Sequence, residues 1–204
     1  PLICRIKHVP TIVLLHNILE QTDLENAGFA SNKLLQIVYT FIGTCLTKLI
    51  LKADLVVVTM EKYAANLKEK YKVTNVKMIP HGTFETPRKP SHKLQNGTLK
   101  VMTFGKFGTY KKVESLIEAV EKVRDYSGLD LEVVIAGTDN PNVVGYLANV
   151  KEKYKHISQI TFTGYVEENQ VERLFNESAV VVFPYTSTSG SSGVLHQAGS
   201  YGKA

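Results

Sequence analysis

Two lysines five residues apart, close behind a predicted strand, could bind a diphosphate. The strand covers Leu99 to Phe104 and is followed by Gly105 and Lys106, with Lys111 just before a predicted helix. A glycine lets the backbone turn at the end of a strand, and two ammonium groups beside a helix N-terminus can both reach a diphosphate. A solvated basic loop in front of a helix would have the same composition, so the spacing alone leaves both interpretations open.

A second candidate site is a segment rich in serine and glycine. It extends from Ser187 to Gln197, and its small residues include Ser189, Gly190 and Gly193. Small residues at the start of a helix leave backbone N–H groups available to a phosphate or a sugar. A flexible surface loop is the alternative, but Val194 and Leu195 follow with core-like spacing, which favours the start of a helix.

An alternation of strands and helices must position both segments. Residues 1–85 read as strand, helix, strand, helix, strand, and residues 99–204 read as four strands alternating with three helices before the serine-rich segment. This alternation predicts two α/β domains of the Rossmann type, each with a doubly wound parallel sheet. Residues 86–98 are rich in proline, serine, asparagine and glycine, which indicates a linker. A complete domain of this kind needs more strand–helix units than either half contains, so we expect a fragment.

Composition limits the class of protein and the compartment. The chain has 204 residues, 44% of them hydrophobic, and a net charge of +5, which fits a globular protein with a mild attraction to anions. Cys4 and Cys45 match neither a disulfide framework nor a metal motif, which favours a cytoplasmic location. No spacing of the histidines would gather a metal ion. We therefore predict no metal site. We also predict no nucleic-acid partner.

The longest apolar stretch is the predicted helix from Lys33 to Lys52. Polar residues interrupt its apolar run from Leu34 to Leu51, namely Gln36, Thr40, Thr44, Thr47 and Lys48. These interruptions argue against a membrane-spanning helix and favour a buried or interfacial helix. We expect this helix to pack on the first sheet, with peripheral contact to a membrane surface as a further option.

The order of five segments resembles the family-four (group 1) retaining glycosyltransferases over nearly the whole chain. The segments are IPHG, GKFGTYKKVESLIEA, LEVVIAG, ITFTGYVEENQVERLFNESAVVVFPY and GSSGVLHQAGSYGKA. The resemblance implies a GT-B-like fold, with an acceptor domain in residues 1–85 and a donor domain in residues 99–204. It also implies transfer of a sugar from a nucleoside-diphosphate sugar to a hydroxyl of a glycan, lipid or small molecule, with retention and without a further cofactor.

The resemblance assigns roles to individual cationic and cleft residues. The family has an arginine and a lysine after the first donor-domain strand that hold the diphosphate, and Lys106 and Lys111 fall at these positions. His16 matches the histidine that ends an acceptor-domain strand and faces the cleft. His81 and Gly82 match the mouth of the hinge. We predict a catalytic role for His16 and for the two lysines.

The resemblance also implies the donor contacts. Gly164, Tyr165 and Val166 would lie against the base through their backbone groups, and the amides of Val194 and Leu195 would face the distal phosphate. Gly105 and the serine-rich segment with Gly190 and Gly193 would complete the donor site.

Two family glutamates are replaced in this chain. The family pattern has one glutamate on the donor sugar and another eight positions later on the ribose, and these positions hold Ser189 and Gln197. Both side chains can still form hydrogen bonds, but the ionised acceptors are lost. A subfamily with a neutral donor loop and a degenerate nucleotide- or glycan-binding module or scaffold are the two alternatives. A dinucleotide-dependent oxidoreductase is excluded because no strand precedes a G-x-G-x-x-G turn with an acid about 20 residues later.

Overall fold

The chain forms two compact α/β units. The structure, a computed structural model, describes residue 4 and residues 6–21, 33–82, 97–187 and 191–203. The first unit comprises residues 1–82 with 187–191, and the second comprises residues 83–186 with 192–204. The predicted linker, residues 86–98, lies outside the described residues except for its last two positions, so the domain boundary stays a prediction.

The first unit has a parallel sheet with the strand order β1-β2-β3. Its elements are β1 (Ile12–Leu15), α1 (Lys33–Ile50), β2 (Leu55–Val58), α2 (Glu61–Tyr71) and β3 (Val76–Met78). Tyr63 and Leu67 of α2 are buried in one cluster with Val56, Val58 and Val76. Strand β2 is a continuous apolar run whose last three residues are buried, as expected for the central strand of a parallel sheet.

A buried carboxylate joins the helices of the first unit. Glu20 accepts hydrogen bonds from Thr47 Oγ1 of α1 at 2.6 Å and from the Tyr71 hydroxyl of α2. Lys70 Nζ lies 3.3 Å from the same carboxylate. Burial by itself raises the pKa of Glu20, but these hydrogen bonds outweigh burial and lower the pKa.

The long apolar helix is largely exposed, so the structure contradicts the buried alternative and leaves the interfacial alternative as a prediction. Of the described residues of α1, Gly43 and Thr47 are buried, and only 11% of the helix is buried. Its large exposed side chains are Leu34, Leu35, Ile37, Val38, Tyr39, Phe41, Ile42 and Leu46. With a mean hydropathy of 1.3 over 18 residues, α1 is long and apolar enough to cross a membrane by length and composition. The interrupting polar residues therefore do not exclude a span on those two criteria.

The second unit is a doubly wound parallel sheet with the strand order β6-β5-β4-β7. Its elements are β4 (Leu99–Phe107), α3 (Glu114–Ser127), β5 (Leu131–Asp139), α4 (Tyr146–Lys153), β6 (Ile160–Gly164), α5 (Glu168–Glu177), β7 (Ser178–Val181) and α6 (Gly193–Ser200). The chain moves outward from β4 to β6 and then returns to place β7 on the other side of β4. The change of direction creates a switch point at the carboxyl ends of β4 and β7, where ligands bind in such sheets.

Helices cover both faces of this second sheet. Side chains alternate between the faces along each strand. Val133 faces the side covered by α3, in a cluster with Ile117. Val134 faces the opposite side, in a cluster with Phe175 of α5 and Ala198 of α6. The predicted doubly wound arrangement is therefore present in this unit.

Strand β4 is longer than the sequence predicts. It continues through Gly105 to Phe107 and pairs with Gly137 and the two residues after it, so Lys106 lies in the strand and not in a loop. Gly105 and Gly137 have φ angles of +139° and +138°. A Cβ on Gly137 would lie 1.9 Å from the Gly105 carbonyl oxygen. Glycine at position 137 lets the two strands continue past this irregularity.

Candidate functional site

The segment after β4 is held against the segment after β7. The Thr186 N–H donates to the Tyr110 carbonyl oxygen at 2.8 Å, and an antiparallel bridge pairs Lys111 with Tyr185. Helix α3 begins after these contacts, at Glu114. The two segments therefore form one surface at the switch point of the second sheet.

Lys111 lies over the end of β4 and against two aromatic rings. Its Nζ is 4.8 Å from the Tyr185 ring centroid and 5.8 Å from that of Tyr110. The two rings meet edge to face, 5.6 Å apart. A Cβ on Gly105 would come within 3.0 Å of the same Nζ, so the ammonium group lies directly above this glycine. Ring faces attract a cation at such distances, and they hold the ammonium at the carboxyl end of β4.

No carboxylate of the described residues forms an ion pair with Lys111 or Lys106. Lys111 is half-buried, whereas Lys106 has an exposed side chain on the strand. The structure thus brings Lys111 to Gly105, but no described contact fixes the ammonium of Lys106. The charge of Lys111 is positioned and available to an anion.

The start of α6 has a serine cap. Ser192 Oγ accepts from the Leu195 N–H at 3.3 Å, and the Tyr185 hydroxyl lies 3.2 Å from the same Oγ. The Leu195 amide is therefore already engaged, contrary to the prediction that it is available to a phosphate. The amides of Gly193 and Val194 belong to the first turn of the helix, where no preceding turn supplies an acceptor.

Gln197 lies one turn into α6, four residues after Gly193 and on the same side of the helix. Its side chain is half-buried. Ser189 and Gly190 lie outside the described residues, so the predicted pairing of Ser189 with Gln197 stays a prediction.

The predicted base-binding segment lies at the same edge of the second sheet. Gly164 ends β6 with a φ angle of +68°. Tyr165 is 71% exposed, and Val166 packs against the cluster under α5 and α6. Because the carboxyl ends of parallel strands share one edge, Gly164 lies on the same edge as Lys111.

The loop after β4 is also fixed on its other side. A Cβ on Gly108 would come within 2.9 Å of the Tyr146 side chain. The Tyr146 hydroxyl accepts from the Val113 N–H at 2.8 Å and donates to the Glu114 carboxylate. Burial, and then the hydrogen bond to Glu114, raise the pKa of Tyr146 above its ordinary value. The two hydrogen bonds of this hydroxyl keep the loop attached to α4.

The predicted residues of the first unit follow the strand ends. His16 is exposed directly after β1. His81 follows β3, and its Nδ1 lies 2.7 Å from the Gly82 carbonyl oxygen. The carboxyl ends of β1 and β3 belong to the same edge of the first sheet.

Sequence reasoning missed Tyr185 as a member of the site. This tyrosine follows Pro184, two residues before the first residue of the serine-rich segment, and that position was its only signal. Its contacts to Lys111 and Ser192 depend on the pairing of β4 with β7. Among the described residues, no group of three or more His, Cys, Asp or Glu could hold a metal ion.

Three solved structures share the fold of this chain. A mutant of S. aureus TarM, in complex with fondaparinux, alpha-GlcNAc-glycerol and UDP, matches with a TM-score of 0.65 and 17% identity, over 97% of this chain and 36% of TarM. Sucrose-phosphate synthase from Thermosynechococcus elongatus matches with a TM-score of 0.67 and 16% identity, over 94% of this chain and 49% of the synthase. HepE from Anabaena, in complex with UDP-glucose, matches with a TM-score of 0.70 and 16% identity, over 99% of this chain and 54% of HepE.

This chain spans between about a third and just over half of the length of these three proteins. At these identities the likeness is one of fold, and it confirms the predicted α/β fold with parallel sheets of GT-B glycosyltransferases. A search of curated proteins found no significant match. The family model described as glycosyl transferases group 1 matches residues 98–204, which is more than half of the chain. These residues include Lys106, Lys111 and all of α6, and the chain belongs to the group 1 glycosyl transferases.

Proposed function

We propose that the full-length protein transfers a sugar from a nucleoside-diphosphate sugar to a hydroxyl acceptor, with retention at the anomeric carbon. The observation that carries this proposal is the position of Lys111, which lies over Gly105 at the switch point of the second sheet. The nearby start of α6 adds first-turn amides beside it. Membership of the family supports the same reaction class.

These groups match the electrostatic demand of the reaction. Negative charge grows on the leaving diphosphate as its bond to the anomeric carbon breaks. A cation and amides that are already in place stabilise such a charge without reorganising in the transition state. We assign this task to Lys111, with Lys106 and the amides of Gly193 and Val194 in support. The proposal includes no cofactor besides the donor substrate.

The structural relatives suggest which substrates to test first. HepE was solved with UDP-glucose, and TarM with UDP and alpha-GlcNAc-glycerol. These complexes support a uridine diphosphate sugar as the first donor class and a hydroxyl of a small glycoside or glycan as the first acceptor class. We assign His16 to the acceptor side of the reaction. We further propose a cytoplasmic protein that contacts the membrane surface through the exposed apolar face of α1.

A second candidate function is a degenerate binding module. Ser189 and Gln197 favour it, because they replace the two family glutamates. Such a module would bind a nucleotide or glycan without turnover.

Donor binding and turnover test the first function. Thermal shift of the full-length protein with UDP and GDP should raise the melting temperature with ligand concentration, whereas uridine should not. A panel of nucleotide sugars should then release nucleoside diphosphate, and NMR of the product should show a retained anomer. Absence of any diphosphate-dependent shift would overturn the donor site.

Variants at the two replaced positions separate the enzyme from the binding module. Gln197→Ala should lower turnover of an active enzyme through loss of a hydrogen bond worth about 0.5–1.5 kcal/mol. Ser189→Glu combined with Gln197→Glu should not raise turnover, because an unpaired charge would lie near the diphosphate. A silent wild type beside an active double variant would favour the binding module.

A further inference from the structure

We propose that Tyr185 is a positioning residue that holds the two phosphate-binding elements of the second unit together. Its ring would place Lys111, and its hydroxyl would place the Ser192 cap of α6. This inference rests on the proposed function, because it names how the donor diphosphate site is assembled. Tyr185 would act through these two partners and not by touching the reacting atoms.

The ring face is the closer aromatic contact of the ammonium group. Lys111 Nζ is 4.8 Å from the Tyr185 centroid, against 5.8 Å from that of Tyr110. Tyr110 and Phe183 each meet the Tyr185 ring edge to face, at 5.6 and 5.7 Å. The ring is therefore held in orientation from two directions, and the lysine side chain is ordered before any ligand arrives.

The hydroxyl of the same side chain reaches the other element. It lies 3.2 Å from Ser192 Oγ, and that Oγ accepts from the Leu195 N–H. The serine cap therefore has two partners, one in the helix and one in the segment after β7. Through this contact, the first turn of α6 is connected to Tyr185, the residue whose ring contacts Lys111.

The backbone holds its place without the tyrosine side chain. The bridge between Lys111 and Tyr185 and the hydrogen bond from Thr186 to Tyr110 both involve main-chain atoms. A substitution at position 185 should therefore leave the two segments paired. It should disturb only the Lys111 ammonium group and the Ser192 cap, which the tyrosine side chain contacts. This separation makes the ring and the hydroxyl testable one at a time.

Isothermal titration of the full-length protein with UDP, GDP and uridine tests the assignment. Tyr185→Phe keeps the ring and should weaken diphosphate binding about threefold through loss of one hydrogen bond. Tyr185→Leu loses both contacts and should weaken it about tenfold. Uridine binding should stay unchanged in both variants. Tyr126→Leu, at a tyrosine that is 95% exposed on α3, is the matched control and should leave binding unchanged.

A double-mutant cycle distinguishes positioning of Lys111 from a separate effect. In a Lys111→Ala background, Tyr185→Leu should weaken UDP binding by no more than about threefold, which is the effect expected from loss of the hydroxyl alone. A full tenfold loss in that background, or equal losses for UDP and uridine, would overturn the inference. If the leucine variant does not fold, Tyr185→Phe and Ser192→Ala decide the proposal. Their effects on UDP binding should not add when the two substitutions are combined, because both remove the same contact. Additive effects would refute the proposal.

Failure of the proposed function has a different signature. In that case the wild type binds neither UDP nor GDP, or Lys111→Ala leaves diphosphate binding unchanged. If Lys111→Ala weakens diphosphate binding and Tyr185→Leu does not, the proposed function stands and the positioning role falls.

Discussion

Replacing Lys111 with alanine removes the cation that lies over Gly105 and leaves its aromatic neighbours without a charged partner. A unit charge at about 4 Å from another interacts by about 4 kcal/mol at the effective dielectric of a protein surface, as an upper bound. Hydrogen bonds to charged groups have a measured net value of about 1.5–3 kcal/mol. Because the ring of Tyr185 already orders the lysine, little of this energy is lost in fixing the side chain when a ligand binds.

We therefore expect Lys111→Ala to weaken UDP or GDP binding about 10- to 100-fold, which corresponds to about 1.4–2.8 kcal/mol. Uridine lacks the phosphates and should bind the variant and the wild type equally. Turnover should fall further than binding if the lysine acts more strongly on the departing diphosphate than on the ground state. Lys106→Ala should weaken diphosphate binding less, by about 1 kcal/mol, because its exposed side chain must be ordered first.

Titration calorimetry and release of nucleoside diphosphate measure these two effects on the full-length protein. Lys122→Ala is the charge-matched control, since it removes one exposed cation from α3 outside the site. Equal weakening of uridine and UDP binding by Lys111→Ala would refute a contact between Lys111 and the diphosphate. So would a loss of UDP binding in Lys122→Ala as large as the loss in Lys111→Ala.

Three further predictions concern the scaffold. Gly137→Ala should destabilise the second unit by about 2 kcal/mol or more in urea unfolding, because its Cβ meets backbone at 1.9 Å; Gly199→Ala, with open space, should not. Burial, and then the Glu20 hydrogen bond, raise the pKa of Tyr71 to about 12. The unfolded state then loses its phenolic proton first, so stability should fall as pH rises from about 10 to about 12, and Tyr71→Phe should reduce this fall. Phe41→Glu on α1 should reduce co-sedimentation with anionic vesicles at low salt; a wild type that does not co-sediment would contradict membrane contact.

Local patterns in the sequence were sufficient to predict the order of elements, and together with the family resemblance they singled out the candidate phosphate site. Buried parallel strands are short apolar runs and amphipathic helices repeat every 3.6 residues, so each element carries its own signal. The five-residue spacing of Lys106 and Lys111 and the serine cap near α6 are also local features. These features, together with the resemblance, led to the family that the model for residues 98–204 confirms.

The assembly of the site depended on pairings that no local pattern contains. The extension of β4 to Phe107 follows from its register with β5, whereas the sequence predicted that the strand ends at Phe104. The contact of Lys111 with Tyr185 joins residues 74 positions apart and requires β7 to lie beside β4. The exposure of α1 likewise depends on what the fold packs against it. Hydrogen-bonded strand order is a long-range property, and it alone decided which of the predicted residues meet at the switch point.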